Sequence, residues 1–254
     1  MSSRIDVYLV AGGKYHDINF ARLELLTLLA EHEDIRVEVG PDYSRIAEIE
    51  AADILITYTC DVVPSAAEQA GLRRFLAKGG KWFALHGTNS VIRFLEDGRI
   101  DCPDLDDDLS DMLGSQFRAH PPICRYEIQV TDSTHPLTAG LKNFWVEDEL
   151  YLGTVSPGNQ TLLHTRWGGN CAPFVQEDWP EADHPVLYLR DHGPGQVLYL
   201  VLGHCRGKHD LRPLMEEYPH SERCSWQSPV FYELLRRGIR WAIGRGAMGA
   251  TPGF

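Results

Sequence analysis

The chain contains no Cys-x-x-Cys pair, no Gly-x-Ser-x-Gly and no Gly-x-x-x-x-Gly-Lys-Ser/Thr. The first absence removes the usual zinc-ribbon and dithiol spacings. The second removes the serine elbow of esterases. The last removes the P-loop, and Gly12-Gly13 after the first strand does not open a Gly-x-Gly-x-x-Gly, so no nucleotide cofactor is expected. No apolar run approaches the ~20 residues that a membrane helix needs. Positive charge is scarce as well. Twenty-four Lys and Arg stand against 36 Asp and Glu, a net charge of −12. That sign is wrong for nucleic acid or an anionic membrane surface. The opening Met1-Ser2-Ser3-Arg4 enters a strand-like run at once and offers no apolar leader segment, so a cytoplasmic location is expected. Cys60, Cys102, Cys124, Cys171, Cys205 and Cys224 are scattered, and read as free thiols of a reducing compartment.

What is present alternates between strand and helix. Ile5–Val10 reads as a strand. Phe20–Glu31 has helical spacing, with Asn19 as its cap. Ile35–Val39 and Asp53–Thr59 read as strands, and Pro64–Lys78 as a helix capped by Ser65 and ended by Gly79-Gly80. Lys81–Leu85 is a fourth strand. This order predicts an α/β fold with a mostly parallel central sheet and helices on both faces. Later strands are expected at Arg125–Val130, within Phe144–Leu152, and at Thr161–Thr165, Val186–Arg190 and Val197–Leu202. Gly193-Pro194-Gly195 marks a hairpin, and Val230–Ile243 an amphipathic helix. The expectation is one domain over residues 1–254. Residues 97–121, with six aspartates between Asp101 and Asp111, and residues 206–227 read as insertion-like loops. Residues 244–254 read as a loose tail.

In such sheets ligands bind beyond the carboxyl ends of the strands. His86 ends the fourth strand in Leu85-His86-Gly87, where a nucleophilic enzyme of this build would place Ser or Cys. His16 follows Gly12-Gly13 after the first strand, and His204 ends the last in Leu202-Gly203-His204. Parallel strands point one way, so the three imidazoles belong on one rim. Taken singly, His86 reads equally well as a residue that happens to end a strand, and His16 and His204 read more readily as surface or packing residues. Glu147-Asp148-Glu149-Leu150-Tyr151 adds carboxylates beside a phenol, and His120 stands before Pro121-Pro122. Imidazoles with carboxylates serve as metal ligands or as acid and base. His86, His204, Glu149 and His16 are therefore the candidate catalytic residues. Asp17, Gly12, Gly13, Tyr151 and His184 are candidate substrate contacts. A divalent ion, zinc or another first-row metal, is expected on His86, His120 and His204, with Glu149 left for acid–base work. A metal-free His–His–Glu site is the alternative. Trp82, Trp145, Tyr151 and Trp167 are the aromatics available for stacking on a sugar.

The chain resembles the ThuA-like (trehalose-utilisation) family. The resemblance is carried by Gly12-Gly13 with His16-Asp17, Leu85-His86-Gly87, Phe117 with His120-Pro121-Pro122, His135-Pro136-Leu137-Thr138-Ala139-Gly140-Leu141, Asp148-Glu149-Leu150-Tyr151, His184-Pro185-Val186, Leu202-Gly203-His204 and Gly238-Ile239-Arg240-Trp241-Ala242. It implies a flavodoxin-like, class I glutamine amidotransferase-like fold. In amidotransferases of that fold the elbow holds a nucleophilic Cys and the late strand ends in its His. Here His86 and His204 take those places, so amidase chemistry should be absent. The resemblance further implies action on disaccharides or glycosides, as hydrolase or lyase, after a partner sugar dehydrogenase has made the 3-keto form. The alternative is a non-catalytic sugar-binding or regulatory module. Assembly stays open, a homo-oligomer included.

Overall fold

The computed structural model describes residues 4–244; of the expected loose tail, all but Gly244 lies outside the described residues. The strands are β1 (Ile5–Gly13), β2 (Ile35–Gly40), β3 (Ile54–Cys60), β4 (Lys81–Leu85), β5 (Arg93–Phe94), β6 (Ile100–Asp101), β7 (Ser115–Ala119), β8 (Cys124–Val130), β9 (Phe144–Asp148), β10 (Leu152–Val155), β11 (Gln160–Asn170), β12 (Asp178–His192) and β13 (Gly195–Leu200). The α-helices are α1 (Ile18–Leu29), α2 (Ile46–Ala51), α3 (Ala66–Ala77), α4 (Asp107–Leu113) and α5 (Pro229–Ala242).

Nine strands form one sheet in the order β2-β1-β3-β4-β13-β12-β11-β8-β9. It is parallel from β2 through β13. From β12 to β9 it continues antiparallel. The parallel part is the predicted α/β sheet, and its order is the flavodoxin-like one. The chain leaves β1 toward β2 on one side and β3 toward β4 on the other. Right-handed crossovers then place α1 on one face and α2 and α3 on the other. The crevice between β1 and β3 is the switch point where ligands bind.

β3 is buried at every position, as a central parallel strand with both faces covered must be. Trp82 is wholly buried, and its Nε1–H donates to Thr57 Oγ1. The Phe83 ring lies so close to Gly238 of α5 that a Cβ there would stand 2.4 Å from it. Ser65 caps α3 in a reciprocal capping box with Glu68. For α1 the cap is Asp17, whose Oδ1 accepts from Phe20 N–H, not Asn19.

The acidic stretch is not a loop throughout. Asp106 caps α4, Asp107 and Asp108 sit in its first turn, and Gly114 ends it in the left-handed region. Negative charge at a helix N-terminus is favourable, and Leu109, Met112 and Leu113 are buried beneath it. β6 and β7 also fall within 97–121. Helix α2 was not expected: six residues carry too short a period to register. Residues 206–227 are tied back by the Arg206–Glu222 bridge, and form a wall of the site.

Candidate metal centre

Three chain segments that leave parallel strands meet above the sheet. His86 follows β4 directly, in a backbone turn with φ of +44°. This left-handed geometry is unusual for a residue with a Cβ, and it lifts the imidazole off the strand end. Tyr199 holds the turn, donating its O–H to the His86 carbonyl and accepting from Asn89 N–H. Segment 14–17 leaves β1, with Lys14 N–H on the Cys60 carbonyl and Asp17 N–H on the Cys205 carbonyl. His16 is thereby set beside His204. The fourth contributor comes from β9, at the far edge of the sheet order. Asp148 accepts N–H bonds from Gly203, His204 and Glu149, which locks Glu149 against the last parallel strand.

The result is a cluster of His16, His86, His204 and Glu149, whose ligating atoms all lie within 4.8 Å of one another. All four side chains are buried. His16 Nε2 and His86 Nε2 are 2.9 Å apart. The ring centroids of His86 and His204 are 5.7 Å apart. Tyr151 Oη is 3.1 Å from His86 Nε2.

The second nitrogen of each ring decides what the first can do. Nδ1 of His16 faces the Lys14 carbonyl at 3.1 Å, and Nδ1 of His86 faces the Val201 carbonyl at 2.9 Å. A carbonyl only accepts, so both Nδ1 atoms carry the hydrogen. In the neutral rings both Nε2 atoms then present lone pairs toward each other. His204 Nε2 donates to Glu222 Oε2 at 2.8 Å. Its Nδ1 is a buried nitrogen with no hydrogen-bond partner, although Glu149 Oε1 is 3.1 Å away. The carboxylate is near enough for Coulomb attraction but not aligned for a hydrogen bond. Two opposed lone pairs and an orphaned buried nitrogen are what a cation would satisfy. Three imidazoles and one carboxylate form a donor set suited to zinc or another first-row divalent ion. Tying each imidazole's far N–H to a carbonyl or carboxylate is how metal ligands are oriented.

Electrostatics divides the rings. Burial, reinforced by the neighbouring imidazoles, holds His16 well below the ordinary histidine value. Burial also takes His86 down to about 3, although Glu149 opposes it. Burial would lower His204 too, but Glu149 and Glu222 prevail and raise it to about 9. Glu149 lies well below the usual carboxylate range: burial raises it, and His120, His204 and Arg206 outweigh that.

The expected metal triad of His86, His120 and His204 is not the set brought closest. His120 stands on the other side of Glu149, its Nε2 3.5 Å from Glu149 Oε1. Its Nδ1–H donates to the Pro121 carbonyl at 2.7 Å, so its Nε2 lone pair points inward. His16 and Glu149 complete the cluster instead. The candidate substrate contacts divide similarly. Tyr151 is in the site. Asp17 is a helix cap and pairs with Arg223 at 2.9 Å. Gly12 and Gly13 press on the backbone of Pro41 and Cys60, where a Cβ would stand 1.9 Å from a carbonyl oxygen. Strand packing at these positions has no room for a side chain. His184 donates to the Trp167 carbonyl, away from the cluster. Of the four aromatics, Trp82 is core, and Trp145 lies on the surface under Arg125.

Sequence reading missed Arg206, Tyr218 and Glu222, all in the insertion-like stretch. Arg206 Nη1 bonds Glu222 Oε2 at 2.8 Å, Tyr218 donates to Glu222 Oε1 at 2.9 Å, and the guanidinium lies over the Tyr218 ring. No local motif flags these residues, which meet only through tertiary pairing. With His120 and Glu149 they form the polar floor of a cavity of about 380 Å³.

Fold and site together define an α/β protein of flavodoxin-like strand order with a buried histidine–carboxylate centre at its switch point. The chain belongs to the ThuA family: the model for that family, described as trehalose utilisation, matches residues 6–212. That range includes the four clustered residues and stops short of Glu222. No curated protein matches the chain. A putative ThuA-like protein from Parabacteroides merdae superposes with a TM-score of 0.66 at 17% identity, covering 99% of this chain and 95% of that one. A putative ThuA-like protein from Bacteroides uniformis gives 0.64 at 15% identity, over 96% and 94%. A β-galactosidase from Rahnella sp. R3 gives 0.55 at 11% identity, over 96% of this chain and 32% of its own. At these identities the likeness is one of fold. The family points to a carbohydrate-related role.

Proposed function

We propose that this chain is an enzyme that breaks glycosidic bonds of sugars already oxidised at C3, using a divalent metal held by His16, His86, His204 and Glu149. The observation that carries this is the orientation of the rings. Each clustered imidazole has its outer N–H fixed on an acceptor, and its inner nitrogen lies within 4.8 Å of the other ligating atoms of the cluster, Glu149 among them. A dead module has no reason to keep buried lone pairs opposed at this cost. The metal would supply Lewis acidity toward the C3 ketone oxygen.

The chain's own groups cover the proton transfers. His120 presents Nε2 at the cavity floor and is less buried than the clustered rings. In this reading it takes the C2 proton, which the ketone acidifies. The C2 electron pair forms the C1–C2 double bond as the C1–O bond breaks, and the imidazolium returns its proton to the departing oxygen. Water then adds across the double bond, so the sum is hydrolysis. Release of the unsaturated sugar would make it a lyase. No thiol nucleophile is needed, and burial pushes Cys205 up to about 12 and Cys60 well above the ordinary thiol value, which leaves both unreactive. The substrate is the product of a sugar dehydrogenase acting at C3.

The test is elemental analysis of protein purified without nickel or chelator, with turnover of a 3-keto-glycoside measured with and without EDTA. About one equivalent of metal and loss of turnover in EDTA are expected. His120→Ala should keep the metal and lose about 10²–10⁴-fold in kcat. Substoichiometric metal with full activity in EDTA contradicts the reading.

A further inference from the structure

The cavity that reaches Glu149 is lined by two unlike sets of residues. The floor bears His120, Glu149, Arg206, Tyr218 and Glu222, and the outer wall includes Tyr15, Phe94, Ile100, Ile123, Phe174 and Leu211. The wall is a built structure. Phe94 of β5 pairs with Ile100 of β6, and Ile100 in turn bridges Phe174. The bridge is closed by Ile100 N–H on the Pro173 carbonyl and Val175 N–H on the Ile100 carbonyl. Tyr15 packs edge-on against Phe94 with ring centroids 5.6 Å apart. Tyr15 is itself held at φ of +68°, an unusual conformation that costs free energy and recurs at ligand sites. Phe174 meets His120 edge-on at 5.0 Å, so the apolar wall begins where the polar floor ends. Phe94 remains 41% exposed, an aromatic face left open toward the cavity.

The consequence is chemical. A pyranose ring places hydroxyls around its edge, and each needs a partner when it leaves water. The floor carries polar groups that can partner such hydroxyls. The side chains of Phe94, Ile100, Ile123, Phe174 and Leu211 have none, so a second sugar stacked on Phe94 would still turn edge hydroxyls toward Ile100, Ile123, Phe174 and Leu211 without a partner. A flat aromatic group meets the same wall without that penalty and gains ring contacts with Phe94 and Tyr15.

Resting on the function proposed above, we infer that the substrate's leaving group is an aromatic aglycone, and that the chain acts on aryl glycosides in preference to disaccharides. Binding can be measured apart from chemistry, with unoxidised and hence unreactive probes. In calorimetric titration of the protein as isolated, 4-nitrophenyl glucoside should bind at least tenfold more tightly than trehalose. Phe94→Ser and Ile100→Asn lie outside the proton-transfer and metal groups. Each should remove most of that preference by weakening 4-nitrophenyl glucoside binding. Equal or tighter binding of trehalose overturns the inference, as does an unaltered preference in both variants. The 3-keto forms of the two probes separate this failure from that of the reaction. Turnover of both at equal kcat/KM keeps the reaction and overturns the aryl preference. A binding preference that obeys the variants, with no turnover of either 3-keto compound, supports the aryl subsite and overturns the reaction.

Discussion

Single atoms set the character of the centre. The Lys14, Val201 and Glu222 acceptors fix which nitrogen of each ring faces inward. His86→Ala removes the ring on which His16 Nε2 and Tyr151 both converge. It should abolish turnover with the fold intact by circular dichroism, and retained turnover would sink the proposed role. Glu222 never reaches the cluster centre and acts through His204. Its replacement by Ala leaves His204 Nε2 without an acceptor and should weaken zinc binding about 10–100-fold, the usual loss for such orienting partners. Competition against a chromophoric chelator measures this. Alkylating reagents applied to the folded protein should leave activity intact, because Cys60 and Cys205 are buried. The histidines were visible in the sequence because each follows a strand. Glu222 was not, because its partner is 18 residues away along an irregular segment.

At the scale of elements, Asp111 joins helix to helix and helix to sheet. Its carboxylate pairs with Arg73 of α3 at 2.8 Å and with Arg190 of β12. Burial pushes its pKa up, but the two guanidinium groups prevail and hold it below the ordinary value. A carboxylate depressed in the folded state stabilises above its unfolded pKa of ~3.9, and that stabilisation is lost as pH falls through the folded value. Denaturant midpoints of wild type and Asp111→Asn should therefore differ at neutral pH and converge as pH falls below ~3.9. A constant difference across that window would place the effect elsewhere. The same pairs explain why the acidic stretch folds as α4. Reading it as a solvated loop counted the charges and could not count Arg73 and Arg190, 38 and 79 residues distant.

Across the whole molecule, the centre ties the parallel and antiparallel halves of the sheet together. β9 stands four places from β13 in strand order, roughly 19 Å away in a flat sheet at ~4.8 Å per strand. Asp148 nevertheless bonds Gly203 and His204 directly, so the antiparallel half folds back over the rim. A metal bridging Glu149 with His16, His86 and His204 would clamp both halves. Binding to the folded state alone stabilises by about 2.7 kcal/mol at a metal concentration a hundredfold above Kd. For a chain of this length that is roughly 5–10 °C in Tm. Differential scanning calorimetry with zinc and with EDTA checks it, and an unchanged Tm would show that no metal binds the native state.

The sequence by itself determined the alternation of strand and helix, the four parallel strands before residue 90, and hence the rim on which His16, His86 and His204 converge. These follow from short-range periodicity and from the rule that parallel strands end together. It also contained Glu149 and Tyr151 as neighbours of a strand end. Only the tertiary structure decided that His16 and Glu149 stand nearer the cluster than His120 does, that Asp17 caps α1 and pairs with Arg223, that Gly12 and Gly13 lie against neighbouring backbone, and that residues 206–222 close the site with Arg206, Tyr218 and Glu222. The reason is geometric. Ligand choice within a cluster turns on distances of one or two ångströms, set by backbone bonds such as Asp17 N–H to the Cys205 carbonyl, 188 residues apart in the chain, and no local pattern in the sequence encodes them.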